Sequence, residues 1–260
     1  WKLFILHLKQ GLNMNDEGEG MVILSDREKG LENAVNELLP RASHAYCVFH
    51  LTLNIKSAHH CAFEDPIFKA EKTFDIQVYN ETMAHMKNLH GPSGTYIEKS
   101  KPERWARVLF PARRFGHVTS NIAESMNKWL GETRFLDPIG LFRAYILKIN
   151  CLFEKRRMKY AVMEDEEVPK RVAEMIKQGM DEGGSLRVTR HTRDIWEVQQ
   201  KSKSDATCIV NFLEMTSTCG FFKEHGVPCC HVCQAAMSIE VHPNDLVIPE
   251  RRVHALKKNL

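Results

Sequence analysis

The stretch "STCGFFKEHGVPCCHVC", Ser217 to Cys233, places four cysteines and two histidines within seventeen positions. It restricts the fold more than any other segment, because thiols and imidazoles at this density either converge on a metal ion or pack as small buried groups around a helix start. Zinc takes four such ligands in a tetrahedron, supplied by a tight turn on one side and a turn or helix start on the other. Cys219 follows the β-like run "CIVNFLEM" and precedes Gly220, where the chain is free to turn sharply. Cys229 and His231 form a Cys-x-His pair after Gly226 and Pro228, at the start of "HVCQAAMSI", which reads as a helix. Ser217 lies two residues before Cys219, so on an extended segment the two share a face. Its hydroxyl stays protonated near neutral pH and is a poor zinc ligand. Three conventional ligands are present, Cys219, Cys229 and His231, and the fourth position is open to Cys230, Cys233, Cys208 or water. Zinc in so short a module would hold structure together, since the module buries little core.

Eight cysteines concentrated toward one end and mixed with histidine fit a reducing compartment better than a disulfide framework. With 43% hydrophobic and 27% charged residues the chain reads as globular. No run approaches the roughly 18 apolar residues of a membrane span, so no membrane partner is expected. The chain opens on Trp1 without an initiator Met or a signal-peptide pattern, and the expectation is an excised piece of a longer protein. A net charge of +3 does not by itself announce nucleic acid. The basic residues nevertheless cluster, at Arg113 and Arg114, at Lys155, Arg156 and Arg157, at Arg187, Arg190 and Arg193, and in the tail "ERRVHALKK". The first three clusters are candidates for phosphate contacts, against the alternative of solvated faces.

Hydrophobic spacing predicts helix over "WKLFILHLKQGL", strand at "MVILSD", helix over "REKGLENAVNELLP", strand at "SHAYCVFH" and helix over "LTLNIKSAHH". Such an α-β-α-β-α order implies a sheet with helices packed on it. The chain divides on this reading into a core over 1–61, a helical insertion over 62–111, a helical return over 112–184, a small module over 185–240 and a basic tail over 241–260. The boundary near Gly184 marks the change from helical spacing to the short β-like runs "SLRVTRH", "DIWEVQQ" and "CIVNFLEM".

The order of Cys219, Cys229 and His231, with "GVPCCH" around the pair, resembles the SWIM zinc finger, a ββα module with Cys-x-Cys and Cys-x-His ligand pairs; Ser217 departs from that pattern. Two upstream stretches, "LSDREKGLENAVNELLPRASHAYCVFH" and "GHVTSNIAESMNKWLGE", resemble the Mutator-like (MULE) transposases, whose SWIM finger lies C-terminal to the catalytic domain as here. Plant far-red-response regulators share the plan. The resemblance implies an α/β fold: a partial RNase H-like core, a mostly helical insertion and a small C-terminal ββα zinc-finger-like module. It implies double-stranded DNA as partner, leaves a homo-oligomer open, and implies a nuclear location.

In that family Asp, Asp and Glu hold Mg²⁺ or Mn²⁺ for phosphodiester cleavage and strand transfer at transposon ends. Asp26 matches the second Asp and Glu124 the Glu, while no Asp-Gly-Thr strand precedes Met21, so the triad is incomplete. Cys47 and His50 match the family's Cys-x-x-His marker, with no role assigned. An inactive fragment of a transposase is the leading expectation. The alternative is a transposase-derived DNA-binding regulator that never cuts.

Overall fold

A computed structural model describes residues 1–14, 16–200 and 207–258, apart from the side chains of Ile122, Glu124 and Gln200. The chain divides into two units, Trp1–Ser125 and Met126–Leu260, and is mixed α/β.

The first unit opens with the predicted alternation: α1 (Lys2–Gly11), β1 (Val22–Ser25), α2 (Lys29–Leu38), β2 (Ser43–Tyr46) and α3 (Val48–His59). β1 and β2 pair in parallel, Val22 beside Ser43 through Ser25 beside Tyr46, as a β-α-β connection allows. Glu28, not Asp26, caps α2, its carboxylate accepting the Leu31 N–H at 2.7 Å. Leu31, Ala34 and Val35 then share the buried stripe of α2 and pack with Ile5 of α1. Cys47 caps α3 with extended backbone, so "CVFH" leaves the strand earlier than the apolar run predicts and His50 lies in the first helical turn. Helices α4 (Glu64–Lys72), α5 (Ile76–Leu89) and α6 (Gly91–Glu98) supply the helical insertion. They enclose a core of Leu51, Ile55, Ile67, Met86 and Trp105, whose indole N–H donates to Ser100 Oγ at 2.8 Å. From Ser120 the chain enters α7 (Asn121–Leu130), which spans the division between the units.

In the second unit Asp137 caps α8 (Pro138–Ala161), accepting the Gly140 N–H at 3.0 Å with Pro138 in the first turn. After α9 (Lys170–Gly183) come β3 (Leu186–Arg190), β4 (Ile195–Gln200), β5 (Thr207–Asn211) and β6 (Thr216–Ser217), an antiparallel sheet in sequence order. Two helices follow, α10 (Phe221–His225) and α11 (Cys230–Met237). The module is therefore larger than the expected ββα unit. It also recruits α9: Val172 and Ile176 pack with Val227, Cys233 and Val247. Gly179 and Gly183 make that approach possible, for a Cβ at Gly183 would lie 2.8 Å from the Cys230 carbonyl oxygen and one at Gly179 would lie 3.2 Å from Cys233 Sγ.

Over its described residues, 241–258, the basic tail is folded. It forms 3-10 turns at Pro243–Leu246 and Pro249–Arg251 and then α12 (Val253–Lys258). Arg252 Nη1 donates to the Glu166 carbonyl at 2.7 Å, and Lys257 Nζ lies 2.7 Å from Asp165 Oδ1.

Candidate functional site

In the first unit Cys47 and His50 of the predicted residues meet at Ser120. The Cys47 backbone N–H donates to the Ser25 carbonyl at 2.6 Å, fixing it beside the end of β1. Its buried Sγ accepts from the Ser120 N–H at 3.3 Å and the Ser120 hydroxyl at 3.4 Å, and that hydroxyl also lies 3.3 Å from His50 Nδ1. The Val48 N–H donates to the Val118 carbonyl at 3.0 Å. Cys47 and His50 thus tie the end of β1, the start of α3 and the residues leading into α7 into one knot. Asp26 follows Ser25 directly, and Glu124 lies four residues after Ser120 in α7. Asp26 is exposed, with Oδ1 accepting the Glu28 N–H at 3.3 Å. The Glu124 side chain is outside the described residues.

Beside the knot a cavity of about 470 Å³ is lined by Val22 and Leu24 of β1 together with Arg113, Phe115, Ser120 and Ala123. Val22 and Leu24 are two apart on a strand and share its outward face, so β1 and the start of α7 border one space. The sequence reading missed His44. It is 1% exposed on β2, with Nε2 2.8 Å from Ser25 Oγ. Burial, reinforced by Arg104, pushes its pKa down and favours the neutral imidazole. The legible signal was its period-two relation to Tyr46 in "SHAY", which puts both on one strand face.

Among the DNA-contact candidates, Arg114 is a correction. It is buried, Nη2 3.1 Å from Glu71 Oε1 and Nη1 donating to the Trp105 carbonyl at 2.9 Å, so it presents no charge to a phosphate. Arg113 is half-buried, while Lys155, Arg156 and Arg157 are exposed on α8. Arg187, Arg190 and Arg193 are exposed on and after β3; Arg190 stacks its guanidinium 5.2 Å from the centre of the Trp196 ring.

In the second unit the thiols and the imidazole converge. Ligand atoms of Cys208, Cys219 and His231 all lie within 4.8 Å of one another. Cys229 Sγ lies 3.8 Å from His231 Nδ1 and 3.5 Å from Ser217 Oγ, which in turn lies 3.3 Å from Cys219 Sγ. Ser217 is 6% exposed and faces this cluster, as its spacing from Cys219 implies. Gly220 makes the turn after Cys219 with φ +75°, a conformation that favours glycine. Hydrogen bonds from Cys208, then Cys229, drive Cys219 toward the thiolate. The Cys208 thiol is pushed up to about 12, first by its bond to Cys219 and then by burial. Hydrogen bonds with Cys208, then Cys219, push the His231 pKa up. All eight cysteines are free thiols, and a set of thiols with one imidazole is a donor set that suits zinc.

Comparison with protein families matches residues 1–54 to the MULE transposase domain, 54 of the chain's 260 residues. The match contains α1 through most of α3, including Asp26, Cys47 and His50. No curated protein and no solved structure matches. No helix among the described residues is long and apolar enough to cross a membrane.

Proposed function

We infer that the chain derives from a Mutator-like DNA transposase, working on double-stranded DNA in the nucleus. On this reading the first unit is a partial RNase H-like core in which Asp26 and Glu124 contribute two of the three metal-holding carboxylates. The second unit is a DNA-associated unit whose SWIM-like module is held by zinc through Cys219, Cys229 and His231. The observation that carries the reading is the Cys47 knot, which joins the residue before Asp26 to the residue before the helix of Glu124 although they are far apart in sequence.

Divalent ions held by such carboxylates activate a water or 3′-hydroxyl and stabilise the leaving oxygen of a phosphodiester. Asp26, an exposed carboxylate at a strand end, is a donor of the hard oxygen type that Mg²⁺ and Mn²⁺ accept. The knot orients the two elements that carry the pair. Two carboxylates leave one ion poorly held, so the 260-residue chain is expected to bind DNA without cutting or joining it.

The test is Mn²⁺ binding followed by electron paramagnetic resonance, run beside a plasmid-cleavage assay. Weak binding of Mn²⁺ that Asp26→Ala and Glu124→Ala each abolish, with no cleavage, is the expected result. Binding untouched by both substitutions would remove the acidic pair from the reading. DNA binding that persists in that case would favour a transposase-derived regulator.

A further inference from the structure

We propose that Cys208 is the fourth zinc ligand of the C-terminal module, taking the place that Ser217 leaves without a thiolate. The inference rests on the zinc reading above and adds a ligand from a different strand.

The register of the sheet carries the argument. β5 and β6 pair antiparallel with Val210 opposite Ser217 and Asn211 opposite Thr216. Beyond the last ladder pair the same alignment continues, for the Thr218 N–H donates to the Ile209 carbonyl at 2.9 Å and the Ile209 N–H to Thr218 Oγ1 at 3.0 Å. Cys219 then sits in the turn that the Gly220 N–H closes on the Ser217 carbonyl at 2.8 Å. Alternation along β5 sets Cys208 and Val210 on one face, with Ser217 of β6 opposite Val210. Cys208 is thus the diagonal neighbour of Ser217, and its thiol closes with Cys219 and His231 into a group within 4.8 Å.

The other thiols are accounted for differently. Cys233 is fully buried and packs with Val172, Ile176 and Val227 against α9, its Sγ reaching the Pro228 carbonyl at 3.8 Å. Cys230 Sγ lies 3.7 Å from His231 Nδ1, but the thiols that hydrogen-bond Cys219 are those of Cys208 and Cys229, and Cys229 also lies 3.5 Å from Ser217 Oγ. Ser217 Oγ, within 3.5 Å of both Cys219 and Cys229, remains as a hydrogen-bonding neighbour of their sulfurs. Such outer partners orient metal ligands and tune their basicity. The set becomes three thiolates and one imidazole, a composition common to structural zinc sites.

The experiment replaces zinc by Co²⁺ in the full chain and reads the sulfur-to-cobalt charge-transfer absorbance, whose intensity follows the number of bound thiolates. Zinc affinity is measured by competition with a chelator. The unsubstituted chain is expected to take one ion with three thiolates. Cys208→Ser should lose about a third of the charge-transfer intensity and weaken zinc by roughly 100-fold, one ligand's share of the apparent binding free energy. Cys230→Ser should change neither. Adding Ser217→Cys to Cys208→Ser should restore the lost intensity, because the new thiol occupies the vacated corner. Circular dichroism of the variants with excess chelator separates loss of a ligand from failure to fold. An unchanged spectrum in Cys208→Ser, or loss in Cys230→Ser instead, overturns the assignment of Cys208 while leaving the zinc module standing. Absence of stoichiometric metal in the unsubstituted chain overturns both.

Discussion

Arg114 and Glu71 meet where water is shut out, with side chains 1% and 0% exposed, and Arg107 Nη2 adds a second contact to the same Oε1 at 3.2 Å. Removing one partner of such a pair strands the other charge in the interior, which costs more than the pair itself contributes. Glu71→Ala should therefore destabilise the chain by about 3–5 kcal/mol in urea unfolding followed by circular dichroism. A loss below about 1 kcal/mol, the range of exposed pairs, would mean that water reaches the site. In the sequence Arg113 and Arg114 are indistinguishable. What separates them is a glutamate 43 positions away, and a local run of charge carries no trace of it. Cys47, by contrast, was legible as a marked residue through its spacing to His50. Its partner Ser120, 73 positions on, was not.

At the scale of elements, the alternation of α1, β1, α2, β2 and α3 was readable because α2 and α3 bury stripes at helical spacing, with short strand-like runs before each. The start of α3 was read too late, since "CVFH" is as apolar as a strand and only the Cys47 cap ends β2. β6 has two residues and offers no period to detect, so the four-stranded sheet looked like a smaller module. The connection between Cys47 and α7 lies wholly beyond local pattern, and it makes a prediction. Cys47→Ala keeps the backbone bond to Ser25 but removes the sulfur that accepts both Ser120 donors. The first turn of α7 should then open more often. Native-state hydrogen exchange should quicken by about fivefold at its amides, the equivalent of one hydrogen bond of roughly 1 kcal/mol, with α5 unaffected. Uniform acceleration across the unit would instead make Cys47 a general core residue.

For the whole molecule, the second compact unit keeps α9 together with the sheet and the helices that follow it. The reason is packing: α9 reads as an independent amphipathic helix, yet its glycines let it press against α11, and that contact joins segments about fifty residues apart. DNA binding belongs to this scale as well, because a net charge of +3 is too small to attract a duplex unless the charge is locally concentrated. Arg114 contributes nothing to such concentration, and the tail spends Arg252 and Lys257 on the carbonyls of Glu166 and Met163 and on Asp165. Lys155, Arg156 and Arg157, exposed together on α8, are the strongest remaining cluster. If each neutralises a phosphate, the slope of log K against log salt should become shallower by about 2.7 when all three are changed to alanine, at about 0.9 per contact. Arg187→Ala with Arg193→Ala should add a separable decrement of about 1.8 on the same scale. Fluorescence anisotropy with a random-sequence duplex between 50 and 200 mM salt reads both, and random sequence suffices because phosphate contacts position DNA without reading it. A slope indifferent to the α8 triple substitution would assign those residues to solvent and leave the strand cluster as the contact surface. A slope indifferent to both sets would place DNA recognition outside these basic clusters altogether.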